Sequence, residues 1–147
     1  MSVISFKSNS TTLVLIPEGK DSTVIGDFIN GDILELAPVN PDSARTYGSN
    51  RSVNIQHRSD REVHTLKFRV MRDSDSDVFL NTQLNSDKPI VFNGSIKEIF
   101  IKDGEEYIES FDLQAGSFTD RPTHTKNNQD GNAQVEYTIE CFAKRVI

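Results

Sequence analysis

The chain has 147 residues, a length typical of one domain, and its 22 Asp and Glu against 16 Lys and Arg give a formal charge of −6. This balance argues against a protein that wraps nucleic acid by neutralising phosphates. Cys141 is the single cysteine, so no disulfide can form within the chain, and a non-secreted setting with a buried structural thiol is favoured. The N-terminal residues lack the pattern of an export signal, and no stretch approaches the roughly 20 apolar residues of a membrane span. We therefore expect a soluble domain that is not exported, covering residues 1–147.

The first 37 residues are expected to form an arm, a strand and a hairpin. Residues 1–12 have little core-forming pattern and are expected to form an N-terminal arm. A short apolar strand follows at residues 13–16. The segments 24–29 and 33–37 flank Asn30-Gly31, a dipeptide favoured in two-residue type I′ turns, and this predicts a β-hairpin.

Residues 38–50 predict a long loop, since the segment is polar, carries two prolines and has no periodicity. Loops of this length in a compact domain usually have a function. Residues 52–57 alternate again, and we expect them to pair, through a turn at residues 58–61, with the next strand.

A strand followed by a capped helix is predicted in the middle of the sequence. Residues 63–71 alternate between apolar and polar positions, as in a half-buried strand. Ser74 followed by Asp77 has the spacing of an N-cap residue and an acid at the third helical position. The helix is expected to end at residues 85–87, before Pro89, and to lie across a sheet. Its apolar stripe would be formed by Phe79, Leu80 and Leu84.

The remaining sequence predicts strands, which makes the chain mainly β. A strand at residues 90–93 is expected to break at Asn93-Gly94. Residues 96–102 should pair with residues 107–118 across a turn at Asp103-Gly104, and a polar, turn-rich segment follows at residues 119–132. The final strand alternates from Val135 to Lys144, with Cys141 among the apolar positions.

Residues that could carry chemistry are sparse. His57, His64 and His124 do not have the spacing of metal ligands, and Cys141 is poorly placed for a nucleophile. The acids at 73, 75 and 77 imitate the start of a calcium loop, but Val78 stands where that loop needs glycine. We therefore expect no catalytic, metal or cofactor site, and no enzyme.

The order of elements resembles a known family. The strand pair around residues 31–37, the strand at 52–55, the stretch 66–70, the helix at 74–85 and the hairpins after it are similar to the tail tube proteins of contractile-tailed bacteriophages. These are small phage structural proteins of about this length. The resemblance extends from about residue 10 to the end of the chain.

The resemblance implies an antiparallel two-sheet sandwich or partial barrel with one short flanking helix, the phage tail tube fold. Such subunits form stacked, hexameric rings around a hollow tube through which DNA is ejected. The partners implied are further copies of the chain, the tail sheath protein, the tape-measure protein, and baseplate or initiator and terminator proteins. DNA would pass through the lumen without specific binding. The place implied is the tail of the virion, after synthesis in the host bacterial cytoplasm, with no cofactor and no membrane.

Within such a tube, the long amphipathic strands are the best candidates to line the lumen, because one face packs on the core and the other stays polar. The lumen candidates are Glu109, Ser110, Asp112, Glu136 and Glu140. Glu109 shares a face with Tyr107 by alternation. Acidic residues there would repel phosphates and let DNA slide. The alternative is that these acids only solvate an outer face.

Contacts between rings are assigned, by the same resemblance, to the long loop 38–50 and to the arm 1–12. Arg45 and Tyr47 are the candidate loop anchors, since Arg and Tyr contribute strongly at interfaces. A solvated loop is the alternative. A basic group and an acidic group could also meet across subunits or within one. The basic group is Arg58, Arg61, Lys67, Arg69 and Arg72, and the acidic group is Glu98, Asp103, Glu105 and Glu106.

Two other functions remain open. A tube protein of a type VI secretion or other contractile injection system would have the same fold and mechanical role. A monomeric β-sandwich binding module, for example for carbohydrate, is less favoured, because the chain has no Trp and most of its Phe are expected to face inward.

Overall fold

The computed structural model describes residues 1–147, and the chain is mainly β, with antiparallel sheets in a sandwich-like arrangement and one helix. In chain order the elements are β1 (Ile4–Pro17), β2 (Thr23–Ile25), β3 (Leu34–Pro38), β4 (Ser43–Tyr47), β5 (Val53–His57), β6 (Val63–Met71), α1 (Asp75–Leu84), β7 (Phe92–Lys102), β8 (Glu105–Phe118), β9 (Thr123–Lys126) and β10 (Ala133–Arg145). The predicted mainly β class is confirmed.

An eight-stranded antiparallel sheet forms the body of the domain. Its order is β2-β1-β7-β8-β10-β6-β3, and β9 adds to β10. The final strand, β10, holds the sheet together: β6 pairs along one side of it, while β9 and β8 share the other side. β4 and β5 form a separate two-stranded sheet.

One hydrophobic cluster fills the space between this sheet and α1. Alternate residues of β10, from Val135 to Ala143, point into it, as the sequence predicts, and Cys141 is buried among them. The helix contributes Leu80, which is fully buried. It is also tied to the β2 end of the sheet, where the Ser76 hydroxyl accepts a hydrogen bond from the Gly26 amide at 2.9 Å. The prediction of a helix lying against the sheet is confirmed by these contacts.

The cap of α1 forms as the sequence predicts. Ser74 is the N-cap, and its hydroxyl accepts from the Asp77 amide at 3.4 Å, while Asn85 is the C-cap. Asp77 in turn accepts from the Asp73 amide at 2.8 Å, one residue before the N-cap. The apolar stripe is weaker than predicted, because the buried helix positions include Ser76, Asp77 and Gln83 beside Leu80.

The hairpin across Asp103-Gly104 is confirmed. β7 and β8 pair from Lys102 opposite Glu105, and both turn residues have positive φ, at 52° and 84°. The predicted break of the strand at Asn93-Gly94 is wrong, since β7 runs continuously through it, although its pairing with β8 shifts register between Phe92 and Gly94. A Cβ on Gly94 would lie 2.1 Å from the Val14 carbonyl oxygen, so glycine is needed here for the close approach of β1.

The predicted hairpin at Asn30-Gly31 is also wrong. β2 pairs with β1 and β3 pairs with β6, at opposite edges of the sheet. The Ile29 amide donates to the Arg69 carbonyl, and the Arg69 amide donates to the Ile33 carbonyl. The chain therefore pairs with β6 on both sides of residues 30–32, and these three residues bulge out of that pairing. Only Gly31 of the dipeptide has positive φ, whereas a type I′ turn needs two such residues.

The segment predicted as a long loop contains a strand, β4. Residues 43–47 pair with residues 53–57, so β5 pairs with β4 and not, as predicted, with β6. β3 and β6 pair with each other, and the β4–β5 hairpin is an insertion between them. The predicted N-terminal arm likewise continues β1, with residues 4–6 and 11–17 paired to β7, and the polar segment 119–132 contains β9.

Candidate assembly surfaces

One face of the large sheet is turned away from the core, and we call it the open face. It carries acidic and basic side chains in similar number. The acids are Glu35, Asp112, Glu136 and Glu140, and the bases are Lys67, Arg69, Lys97 and Lys144. Several are cross-strand neighbours of opposite charge, such as Glu136 with Arg69 and Asp112 with Lys144. The open face is therefore of mixed charge.

Most of the lumen candidates are brought together on this open face. Asp112 and Glu140 are exposed and Glu136 is half-buried. Ser110 has the same orientation but is only 8% exposed, and its carbonyl accepts from the Val146 amide. Glu109 lies on the opposite side, where its carboxylate is 3.1 Å from the Arg145 guanidinium. The strand register thus separates Glu109 from the other candidates.

The β4–β5 hairpin, residues 43–57, is the most exposed part of the fold, and we call it the ribbon. Every residue from 44 to 57 is exposed, so the ribbon adds nothing to the core. Its strand register gives it two unlike faces. Arg45, Tyr47, Val53 and Ile55 share one face, where the Arg45 guanidinium lies 5.4 Å from the centre of the Tyr47 ring. The other face is uncharged and consists of Ala44, Thr46, Asn54 and Gln56.

A second projection is built from the ends of three strands, and we call it the distal arm. It consists of residues 4–6 of β1, 98–102 of β7 and 105–109 of β8, beyond the last pairing of β8 with β10. Three aromatic rings form a row across it. Phe100 lies 5.8 Å from Phe6 and 5.6 Å from Tyr107, measured between ring centres. Phe6 is 59% exposed and Tyr107 is 44% exposed, so the row is open to solvent.

The aromatic row lies in a groove of about 610 Å³, the arm groove. Its lining is completed by Ile4, Lys102, Asp103, Glu105, Glu109 and Arg145. This site was not predicted from the sequence. A signal was present, since Ile4 and Phe6 are apolar positions at alternate residues of the supposed arm, but their neighbours come from strands about 95 residues away in the sequence.

The basic and acidic groups singled out in the sequence do not pair with each other within one chain. Arg58 binds Asp60 through two hydrogen bonds of 2.9 Å, which raises the Arg58 pKa and lowers that of Asp60. Arg61 lies 3.6 Å from Asp42. Of the acidic group, Glu98 accepts hydrogen bonds from Ser10 and Thr11. None of the other three acids accepts a hydrogen bond from a cationic side chain. The Asp103 carboxylate, for example, accepts from the Val3 amide at 3.1 Å. The acids of the distal arm thus keep most of their charge unneutralised.

The polar contact between α1 and β10 is buried. The Tyr137 hydroxyl donates to the Asp77 carboxylate at 2.5 Å. Burial first, and then this bond and the carboxylate charge, raise the pKa of Tyr137. Burial also raises the pKa of the Cys141 thiol to about 11, with a smaller contribution from Glu140. Asp77, one of the three acids that resembled a calcium loop, therefore completes the helix cap and anchors the helix to the sheet.

No group of three or more His, Cys, Asp and Glu side chains has an arrangement that could hold a metal ion. Of the three histidines, His64 is fixed by a contact of 2.7 Å between Nδ1 and the Glu62 carbonyl, and His57 lies 3.3 Å from Arg61. His124 is exposed on β9. The helix α1 is too short and too polar to serve as a transmembrane segment.

A chain in the cryo-EM structure of the anti-feeding prophage (AFP) baseplate, 6-fold symmetrised, is similar to this one in structure. The match has a TM-score of 0.51 and 12% sequence identity, and it covers 94% of this chain and 91% of that chain. At this identity the similarity shows a shared fold over nearly the whole domain. No family model and no curated protein matches the sequence.

Proposed function

We propose that the chain is a structural protein of a phage tail or a related contractile injection particle, and that it forms stacked rings, hexameric as the resemblance implies, around a hollow tube. The observation that carries the proposal is the fold shared, over 94% of the chain, with a component of a six-fold symmetrised prophage baseplate. The resemblance of the sequence to tail tube proteins points in the same direction. The role is mechanical rather than enzymatic, and the place is the virion.

The free edges of the large sheet support assembly with other copies. β3 has no partner beyond it at one end, and at the other end β2 covers only residues 13–15 of β1. Unpaired strand edges are a liability in a monomer, because they offer backbone groups to any other strand. Edge-to-edge contact between neighbouring subunits satisfies both edges and extends the sheet around a ring.

In such a ring the open face is our candidate for the lumen wall, through Asp112, Glu136 and Glu140 with Ser110 beneath them. Its charges nearly balance, since Lys67, Arg69, Lys97 and Lys144 lie among the acids. The face therefore lacks the strong positive potential that would hold DNA phosphates. Passage of DNA without specific binding follows from this balance, rather than from the acidic repulsion expected from the sequence.

The proposed partners are further copies of the chain, the tail sheath and tape-measure proteins, and baseplate, initiator and terminator proteins. The ribbon, with Arg45 and Tyr47, is a contact surface between copies. A tube of another contractile injection system is the nearest alternative, and it differs in setting rather than in mechanism.

A monomeric binding module is a second candidate, and the arm groove is the observation that favours it. Exposed aromatic rings in a groove can stack on a sugar or another flat ligand, and such rings were not expected from the sequence. This candidate predicts a monomer at all concentrations.

Sedimentation velocity over a concentration series separates the two functions. The structural role predicts that the sedimentation coefficient rises with concentration, or on addition of initiator and tape-measure proteins of the same particle. A protein that stays monomeric under both conditions would contradict the proposal and favour the binding module.

A further inference from the structure

We propose that the arm groove of one copy receives the ribbon of a second copy, with Tyr47, Val53 and Ile55 packed on Phe6, Phe100 and Tyr107. This inference rests on the proposed self-assembly and specifies the contact that forms it. It makes the ribbon contact a lateral one, between neighbours in a ring, instead of the contact between rings that the resemblance implies.

The two surfaces are apolar and unoccupied within the chain. The ribbon is exposed from residue 44 to residue 57, and the arm rings line a groove in which Phe6 and Tyr107 are exposed and Phe100 is half-buried. On the ribbon, Tyr47 is 66% exposed and Ile55 is 54% exposed. Tyr with aliphatic neighbours is a composition enriched at the centres of protein interfaces.

The charges of the two surfaces are complementary. Residues 43–57 contain Arg45 and Arg51 and no acid. Three acids line the arm groove, against two bases. The acids are Asp103, Glu105 and Glu109, and the bases are Lys102 and Arg145. Because only Glu109 has a cationic partner within the chain, the remaining acids are free to attract the ribbon arginines of another copy.

The topology brings these surfaces together between neighbours. β6 and β8 both pair antiparallel with β10, so they run in the same direction and begin at the same end of the sheet. The ribbon precedes β6, and the distal arm is the start of β8 with its partners. β8 and β6 lie on opposite sides of β10. When copies stand side by side in one orientation, the ribbon of each copy therefore meets the distal arm of the next at the same end.

This contact joins two different surfaces, so every copy can use its ribbon on one neighbour and its groove on the other. Such a heterologous contact closes into a ring if the rotation between copies divides a full turn, and otherwise continues as an open filament. The predicted pairing is thus of the type that a ring of identical subunits needs.

Cysteine cross-linking between two variants tests the pairing. The Tyr47→Cys and Tyr107→Cys variants are mixed under assembly conditions and oxidised mildly, with Cys141 left in place because it is buried. We expect a mixed disulfide dimer that is at least tenfold more abundant than either homodimer. The matched controls are Ala44→Cys, on the opposite face of the ribbon, and Ile108→Cys, on the opposite face of the distal arm. Neither control should cross-link with the partner variant.

The outcomes separate this inference from the proposed function. Assembly into large particles without the mixed disulfide, or with equal yields from the controls, would overturn the ribbon–groove contact and leave the structural role intact. Absence of assembly for the unmodified chain, with its initiator proteins present, would overturn both. If the cysteine variants fail to assemble, a charge reversal tests the same contact. Arg45→Glu should weaken assembly at least tenfold, and Glu105→Arg added in the same chain should restore it. Failure of that rescue, with both variants folded, also overturns the contact.

Discussion

Gly94 shows how a single residue sets the packing of two strands. Its missing side chain allows the Val14 carbonyl to approach a space that any Cβ would occupy. The sequence suggested a strand break there, because glycine weakens strands in general. The close approach could not be predicted, since the partner strand lies about 80 residues earlier and its register is a tertiary property.

Gly94→Ala should therefore destabilise the domain. The contact of 2.1 Å with backbone cannot relax without moving β1 or β7, and overpacking of this kind costs about 1–3 kcal/mol or more. Urea unfolding followed by circular dichroism measures the loss. Gly26→Ala is the matched control, because no atom lies within 4 Å of the position that its Cβ would take and its φ is ordinary. Equal stability of the two variants would contradict this explanation.

The raised pKa of Tyr137 predicts how the stability of the fold changes at alkaline pH. Its pKa in the folded state is raised above the usual 10, so the folded protein holds this proton more tightly than the unfolded chain. Stability from this group is then complete below pH 10 and is lost as the pH rises above it. The Cys141 thiol, with its pKa raised from 9.0 to about 11, acts in the same direction from a slightly lower pH.

We expect Tyr137→Phe to lose about 1–3 kcal/mol at neutral pH, because Asp77 loses a buried donor. It should also show a shallower decline of stability above pH 10 than the unmodified chain. Urea unfolding from about pH 7 to about pH 10.5, a range that reaches the usual pKa of tyrosine, measures both effects. Tyr107→Phe, at an exposed hydroxyl, is the control and should change stability little. An identical pH profile for Tyr137→Phe would refute the role of this pair.

Among the elements, those fixed by local signals were predicted well. The helix cap at Ser74, the type I′ turn at Asp103-Gly104 and the alternation of β10 each depend on residues close in sequence. Asn30-Gly31 failed because the same dipeptide also suits a bulge, and the choice depends on which strands lie at each edge. The ribbon and the arm groove escaped prediction for a related reason, since strand pairing over long distances creates both.

The ribbon should be dispensable for folding and required for assembly. Replacing residues 41–60 with a short Asn-Gly turn removes exposed strand and leaves every core residue in place. We expect the free energy of unfolding to change by less than about 1 kcal/mol, as for surface changes in general. Sedimentation velocity should show a loss of assembly. The control is replacement of the exposed turn 127–132, remote from the proposed contact, by the same Asn-Gly turn, which keeps Lys126 opposite Ala133 and should leave assembly unchanged. Normal assembly without the ribbon would contradict its role.

At the scale of the whole molecule, three features support the proposed assembly. The sheet has free edges on both sides, the open face is polar and nearly balanced in charge, and two projections at one end are exposed and complementary. The free edges and the arm groove are liabilities in a monomer, because exposed strand edges and exposed apolar groups promote association. Each is explained if neighbouring copies complete the fold.

Electron microscopy of the purified protein across a concentration series, with initiator and tape-measure proteins added in parallel, is the decisive test of assembly. We expect closed rings or hollow tubes of uniform width, with the ribbon of each subunit on the distal arm of its neighbour and the open face toward the lumen. Compact monomers under every condition would contradict the proposed structural role.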